Sequence, residues 1–196
     1  MNRFRPWRLA ATALLVGLLT ACAHPIGIGP LETPARNEAG LNPKKVAYVM
    51  TDADRTKEVI SAGGGGDKVS YFPYRDLEKA LRDALRSVYA DVFVVNAVSD
   101  QEAIRSYGVS YVFTPTITTR SESPSVFTWP PTKFDIELAC NVTDAEGKAV
   151  TQVRAQATGT AEFEEFRKDF GLAGRRAANL VSEQLRQAVM ANQQLR

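Results

Sequence analysis

The chain has 196 residues, with 24 Lys+Arg against 22 Asp+Glu, 44% hydrophobic residues, two cysteines and one histidine. Three of the basic residues, Arg3, Arg5 and Arg8, precede the first acidic one, so a chain cleaved before Cys22 keeps 21 basic and 22 acidic residues. That balance excludes a broad cationic field for nucleic acid or anionic lipid. The lone histidine, His24, leaves nothing from which to build a histidine-based metal site or a Ser-His-Asp triad, so no catalytic residue, metal or cofactor is expected.

The first residues carry three arginines and then an apolar run from Leu9 to Leu19, broken by Thr12 and Gly17. The run is about 11 residues long against the roughly 20 of a spanning helix, which is the pattern of a secretory signal. It closes on Leu19-Thr20-Ala21-Cys22, an order that resembles the bacterial lipobox. Small residues before the cut let the extended chain enter a peptidase cleft, and the Cys thiol can take a diacylglyceryl group as a thioether. Residues 1–21 therefore read as a lipoprotein signal peptide, with cleavage between Ala21 and Cys22 and lipidation at Cys22. Ala23 and His24 follow with no Asp directly after the Cys, which favours the outer membrane over inner-membrane retention, with the domain facing the periplasm. Each buried methylene adds about 0.8 kcal/mol, so two or three acyl chains make a lasting anchor.

Residues 22–44 contain Pro25, Gly27, Gly29, Pro30, Pro34, Gly40 and Pro43 and read as a lipidated Cys followed by a flexible tether. Random-coil scaling gives such a tether an end-to-end distance of roughly 25 Å. Residues 45–196 are expected to form a single periplasmic domain. A first strand covers Val46 to Thr51, followed by Asp52 and Asp54 and by the run Gly63 to Gly66. Four glycines suggest a loop, and the run lacks the Gly-Lys-Ser/Thr ending of a phosphate-binding loop.

Leu77, Leu81, Ala84, Leu85 and Val88 recur at three- and four-residue steps and predict a helix over 74–90, with Pro73 at its start. Asp91-Val92-Phe93-Val94-Val95 reads as a buried strand, so strand, helix and strand imply a right-handed parallel pair. A short helix is expected from Ser99, as cap to Glu102, through Tyr107 to Gly108. A third strand spans 109–119, and Pro115 within it predicts an edge position or a bend.

Phe134, Ile136, Leu138, Cys140 and Val142 alternate with polar neighbours, which puts the first set on a core face and makes Cys140 a buried, inert thiol. Ala145-Glu146-Gly147-Lys148 supplies a hairpin turn. The next strand puts Val153, Ala155, Ala157, Gly159, Ala161 and Phe163 on one face, small enough for a helix to approach closely. That helix is expected over 172–192, burying Ala173, Ala177, Leu180, Val181, Leu185, Ala188 and Val189. These elements make an α+β two-layer sandwich: an about five-stranded mixed sheet, with a β-α-β start and antiparallel hairpins, backed by two main helices.

The lipobox, Asp54-Arg55-Thr56 after the first strand, Arg75-Asp76-Leu77 in the first helix and the hairpin from Lys133-Phe134-Asp135-Ile136 through Glu146-Gly147-Lys148 to Ala161-Glu162-Phe163 resemble the YajG family of bacterial lipoproteins. The resemblance implies the envelope localisation and the fold, and it offers no catalytic residues.

Three functions are open to such a chain. The first is a non-enzymatic accessory or binding module, anchored to the membrane through Cys22, with an envelope protein or cell-wall component as partner and no nucleic acid. Its candidate interaction loop carries Phe127 and Trp129, since exposed Trp is enriched at binding hot spots. Trp129 could instead fold back over the core or rest on lipid headgroups. The second is a small-ligand or lipid-binding protein. The third is a periplasmic hydrolase using Asp52 and Asp54, or Glu162, Glu164 and Glu165, as paired carboxylates.

Overall fold

The computed structural model describes residues 23–124 and 129–196. Its main sheet contains β2 (Asn42–Val49), β5 (Tyr89–Val95), β6 (Tyr111–Glu122), β7 (Lys133–Asp144) and β8 (Ala149–Thr160), in the order β5-β2-β6-β7-β8. β2 runs parallel to both β5 and β6, while β6, β7 and β8 form an antiparallel meander. Two helices, α2 (Pro73–Arg86) and α5 (Leu172–Ala191), cover one face. This is the α+β sandwich with a mixed five-stranded sheet that the sequence patterns imply.

The opposite face is covered over the parallel strands by α3 (Gln101–Tyr107), whose Ile104 packs with Ala47, Val95, Val109 and Val112 in a second, smaller core. Val46 and Tyr48 point into the main core while Ala47 points into the second, as the two-residue period of a strand requires. The cap of α3 is Asp100, whose carboxylate accepts from Ala103 N–H at 3.3 Å, not Ser99 as expected.

Period two holds along the meander. Phe134, Ile136, Leu138, Cys140 and Val142 are all buried, and burial pushes the Cys140 thiol up to about 12, where it carries no thiolate at neutral pH. On β8 the inward set Val153, Ala155, Ala157 and Gly159 is buried, but Phe163 is 53% exposed. The strand ends at Thr160 and Phe163 opens α4 (Phe163–Phe166), so the strand parity no longer governs it. The apolar stripe of α5 runs Ala173, Ala177, Val181, Leu185 and Val189, flanked by Ala178 and Ser182. Ser182 Oγ donates to the Ala80 carbonyl of α2 at 2.9 Å. Leu180, expected in the stripe, is half-exposed because the small flank, not the leucine side, turns toward α2.

Pro115 sits within a strand that has neighbours on both sides, so the first of the two expectations, an edge, does not hold for β6 as a whole. β2 pairs with β6 only as far as Phe113, however, and β7 continues along the whole of it. Ile117, two residues on, turns its N–H to the side β2 has vacated and donates it to Tyr74 Oη at 3.3 Å. Pro115 shares that direction, so its missing N–H removes no ladder bond. β8 is an edge strand, and α5 partly covers it: Gln184 accepts from Gln156 N–H at 3.2 Å and Arg176 donates to the Thr160 carbonyl at 2.8 Å.

A second sheet, absent from the sequence reading, contains β1 (His24–Pro25), β3 (Val59–Ala62) and β4 (Lys68–Tyr71) in the order β1-β4-β3. Hydroxyls tie it to β6: Tyr71 Oη meets Thr119 Oγ1 at 3.0 Å, and Ser61 Oγ meets Ser121 Oγ at 2.6 Å.

The largest correction concerns the expected tether. Residues 23–44 are part of the domain. β1 pairs with β4, Ile26 donates to the Ser70 carbonyl at 2.9 Å, and Ile26 and Ile28 are buried in the main core. The chain then crosses α5, where Asn179 Oδ1 accepts from Leu31 and Glu32 N–H at 2.8 and 3.1 Å. It continues over α2, where Lys79 donates to Thr33 at 2.7 Å and Arg36 reaches the Arg86 carbonyl. Prolines and glycines let it run extended across both helices. Each buried isoleucine adds roughly 1.5–3 kcal/mol.

Helix α5 comes very close to the sheet at Gly159. A Cβ there would meet the Ala173 carbonyl and come within 2.5 Å of Ala177 N. Both are backbone atoms of α5 and cannot swing away. Gly159→Ala is therefore expected to destabilise the domain by about 1–3 kcal/mol or more, read as a lower urea midpoint at unchanged slope. A variant as stable as the parent contradicts the close approach.

Candidate functional site

The first side chains of the domain stand one and two residues after Cys22. His24 stacks on Trp129 with ring centroids 4.2 Å apart and planes 26° from parallel. Trp129 in turn packs against Phe170, 4.5 Å away on the turn before α5. His24 Nε2 lies 3.8 Å from Asp67. Phe170 keeps 45% of its surface exposed, while Trp129 is half-buried against the main core.

The four-glycine run positions this corner. Gly64 N–H donates to the Trp129 carbonyl at 2.9 Å, and Gly63 N–H donates to the Asp67 carbonyl at 3.0 Å. A Cβ on Gly63 would collide with the Trp129 carbonyl, so only glycine admits this contact. Trp129 is thus clasped by its backbone, stacked on His24 and packed at a tilt against Phe170 rather than held at a free loop tip. Phe127, the other residue of the expected interaction loop, lies outside the described residues, as do Ala21 and Cys22.

An open groove of 690 Å³ lies at the same end of the meander, lined by Glu122, Lys133, Thr160, Glu162, Phe163 and Phe166 among others. Its lysine is already paired: Lys133 contacts Glu122 at 3.1 Å and Asp135 at 3.6 Å, and these carboxylates hold its pKa above the usual lysine value. The groove takes Glu162 but neither Asp52 nor Asp54.

The acidic residues considered for general acid–base work have local roles. Asp54 forms a capping box with Thr51 at the start of α1 (Asp52–Arg55), accepting from Thr51 N–H at 3.0 Å. Asp52 pairs with Arg55 at 3.1 Å. Glu164 pairs with Arg167 at 3.3 Å, and Glu165 caps α4 and pairs with Arg176 at 2.7 Å.

A more enclosed polar cluster escaped the sequence reading. Arg55 grips Glu78 with two bonds of 2.8 Å, and Tyr48 Oη donates to the same carboxylate at 3.0 Å. Arg55 holds Glu78 below the usual carboxylate range, and burial, with help from the Glu78 charge, pushes Tyr48 up to about 12. The three residues come from β2, α1 and α2, and their hydrogen bonds engage both oxygens of the carboxylate. The cluster braces the end of β2 against α2. A lone Glu in the polar face of a helix gave no signal of it.

No protein-family model matches the chain, and no curated protein sequence matches it. The YajG likeness therefore has no family match behind it. Solved structures are similar in fold. Protein XCC0632 from Xanthomonas campestris, of family DUF330, aligns with a TM-score of 0.50 at 14% identity over 85% of this chain and 93% of that one. The PelC dodecamer from Paraburkholderia phytofirmans gives a TM-score of 0.42 at 19% identity, over 79% of this chain and 92% of that one. A candidate lipoprotein from Caulobacter crescentus gives 0.34 at 12% identity, over 72% of this chain and 85% of that one. At 14% identity the likeness to XCC0632 concerns the fold alone and transfers no site residue.

The Glu165–Arg176 pair gives a pH signature. The Arg176 guanidinium, with the Glu162 backbone N–H, holds Glu165 down at about 2. A carboxylate lowered on folding stabilises above its unfolded value, near 4.3, and that contribution is lost as pH falls through the folded one. Urea midpoints should fall between about pH 5 and pH 2, and Glu165→Gln should flatten part of that fall. An unchanged pH slope in the variant contradicts the pairing.

Proposed function

We propose that the protein is a lipid-anchored cell-envelope lipoprotein, cleaved after Ala21 and acylated at Cys22, that serves as a non-enzymatic accessory or binding module. Its site is the outer membrane with the domain facing the periplasm, and its partner is an envelope protein or a cell-wall component. The observation that carries the reading is the charged start, short apolar run and Leu19-Thr20-Ala21-Cys22 ending. Ala23 after the cysteine, in place of an Asp, supports the outer membrane.

The structure adds two supports. No helix among the described residues is long and apolar enough to cross a membrane, so attachment by acyl chains is a workable alternative to a span. The carboxylates suited to general acid–base work are engaged in caps and ion pairs with nearby arginines. A binding role suits the outward face of β7 and β8, which presents Glu137, Asn141, Gln152, Arg154 and Thr158 as a polar surface.

Cells expressing the full-length chain and fed a labelled fatty acid should incorporate label into the protein, and the protein should fractionate with outer membranes. Cys22→Ser should abolish the label and release the chain from those membranes or leave it unprocessed. Equal labelling of parent and variant, or parent protein in the cytosol, contradicts the assignment.

A further inference from the structure

We infer that the corner formed by His24, Trp129 and Phe170 seats against the headgroup layer of the bilayer that holds Cys22, so that anchoring fixes the domain's orientation. The inference rests on the lipid anchor proposed above and follows from the length of chain between anchor and fold. A tether of some twenty residues would let the domain wander roughly 25 Å from the surface. The structure leaves almost none of that length free, because β1 begins at His24 and the chain beyond it is buried at Ile26 and Ile28.

Two residues of extended chain span at most about 7 Å. The headgroup region on each side of a bilayer is about 5–8 Å thick, the difference between the full thickness and the hydrocarbon core. A cysteine whose glyceryl group lies at the boundary of the acyl chains, with the few ångströms of its own side chain and glyceryl link added, therefore keeps His24 within the headgroup layer or just above it. Trp129 is in ring contact with His24 and Phe170 with Trp129, so neither lies more than two ring contacts from that level.

The chemistry of the corner suits that level. Tryptophan is enriched at membrane interfaces because its ring is apolar while its N–H can still meet water or headgroup oxygens. Phe170, 45% exposed, costs free energy in water and gains by entering the acyl boundary. Nearby charges are balanced: Asp67 faces His24 and adjoins Lys68, and Arg175 pairs with Asp169 at 3.0 Å beside Phe170. The seat therefore depends on aromatic contact and the short connection, and does not require anionic lipid.

Trp129 is also a built-in probe. The chain has two tryptophans, Trp7 and Trp129, and cleavage before Cys22 removes the first. The acylated full-length product, reconstituted into phosphatidylcholine vesicles with bromine near the headgroup end of the acyl chains, should lose Trp129 emission relative to unbrominated vesicles. Insertion of roughly ten Gly/Ser residues between Cys22 and Ala23 adds about 18 Å of root-mean-square reach and should restore the emission. Flotation separates the two readings. Protein that floats with the vesicles but is not quenched keeps the anchor and overturns the seating, leaving the corner open to a protein partner. Quenching that persists with the insert overturns the role of the short connection. Protein that does not float shows the anchor itself to be wrong.

Discussion

Burial of Ile26 and Ile28 constrains everything else in this molecule that bears on function. Two apolar side chains, spaced so that both face the core, draw the segment after Cys22 onto the domain. Hydrogen bonds to Ser70, Asp76 and Asn179 then fix its path across the helical layer. The gain of a few kcal/mol per isoleucine competes with the conformational entropy of the short segment that has to be ordered, about 1–2 kcal/mol per residue. The added strand pairing and side-chain bonds offset that entropy. The result is a strap that clasps α5 and α2 from outside and brings the start of the domain next to the cysteine.

The rest of the fold makes the strap possible. Small inward residues on β8 let α5 lie close to the sheet, and Ala178 and Ser182 let α5 lie close to α2. The two helices then present one continuous outer surface for the strap to cross. The small sheet performs a related task at the other end of the strap, where β4 offers its edge to β1 and the Tyr71 hydroxyl bonds to β6. Trp129 lies where these parts meet, its carbonyl taken by the glycine loop and its ring by His24 and Phe170.

Much of this architecture was legible in the sequence. The alternation from Phe134 to Val142 and the helical stripe from Leu77 to Leu85 each repeat a single period over many residues, and both elements form, although the helix expected to reach residue 90 ends at Arg86 and β5 begins at Tyr89. The small inward residues of β8 likewise announced the close helix. What escaped was shorter or depended on distant partners. β1, β3 and β4 have two to four residues each, too few for a period to stand out. The Ile26-Gly27-Ile28 alternation was hidden among prolines and glycines whose usual meaning is loop. Pro115 predicts an edge or a bend, and the edge holds only for the half of β6 that β2 does not reach. The aromatic corner joins residues 24, 129 and 170, and no local pattern connects them. Phe163 misled in the opposite way, because strand parity was carried past the end of the strand.

Hydrogen–deuterium exchange across residues 24–32 of the acylated protein tests the central claim most directly. An ordered strap predicts that the amides of Ile26, Ile28, Leu31 and Glu32 exchange far more slowly than an unstructured peptide, with Ile26 protected together with the β4 strand it bonds to. Exchange of the whole segment at the rate of a free chain would contradict the account and restore a flexible tether between Cys22 and the domain.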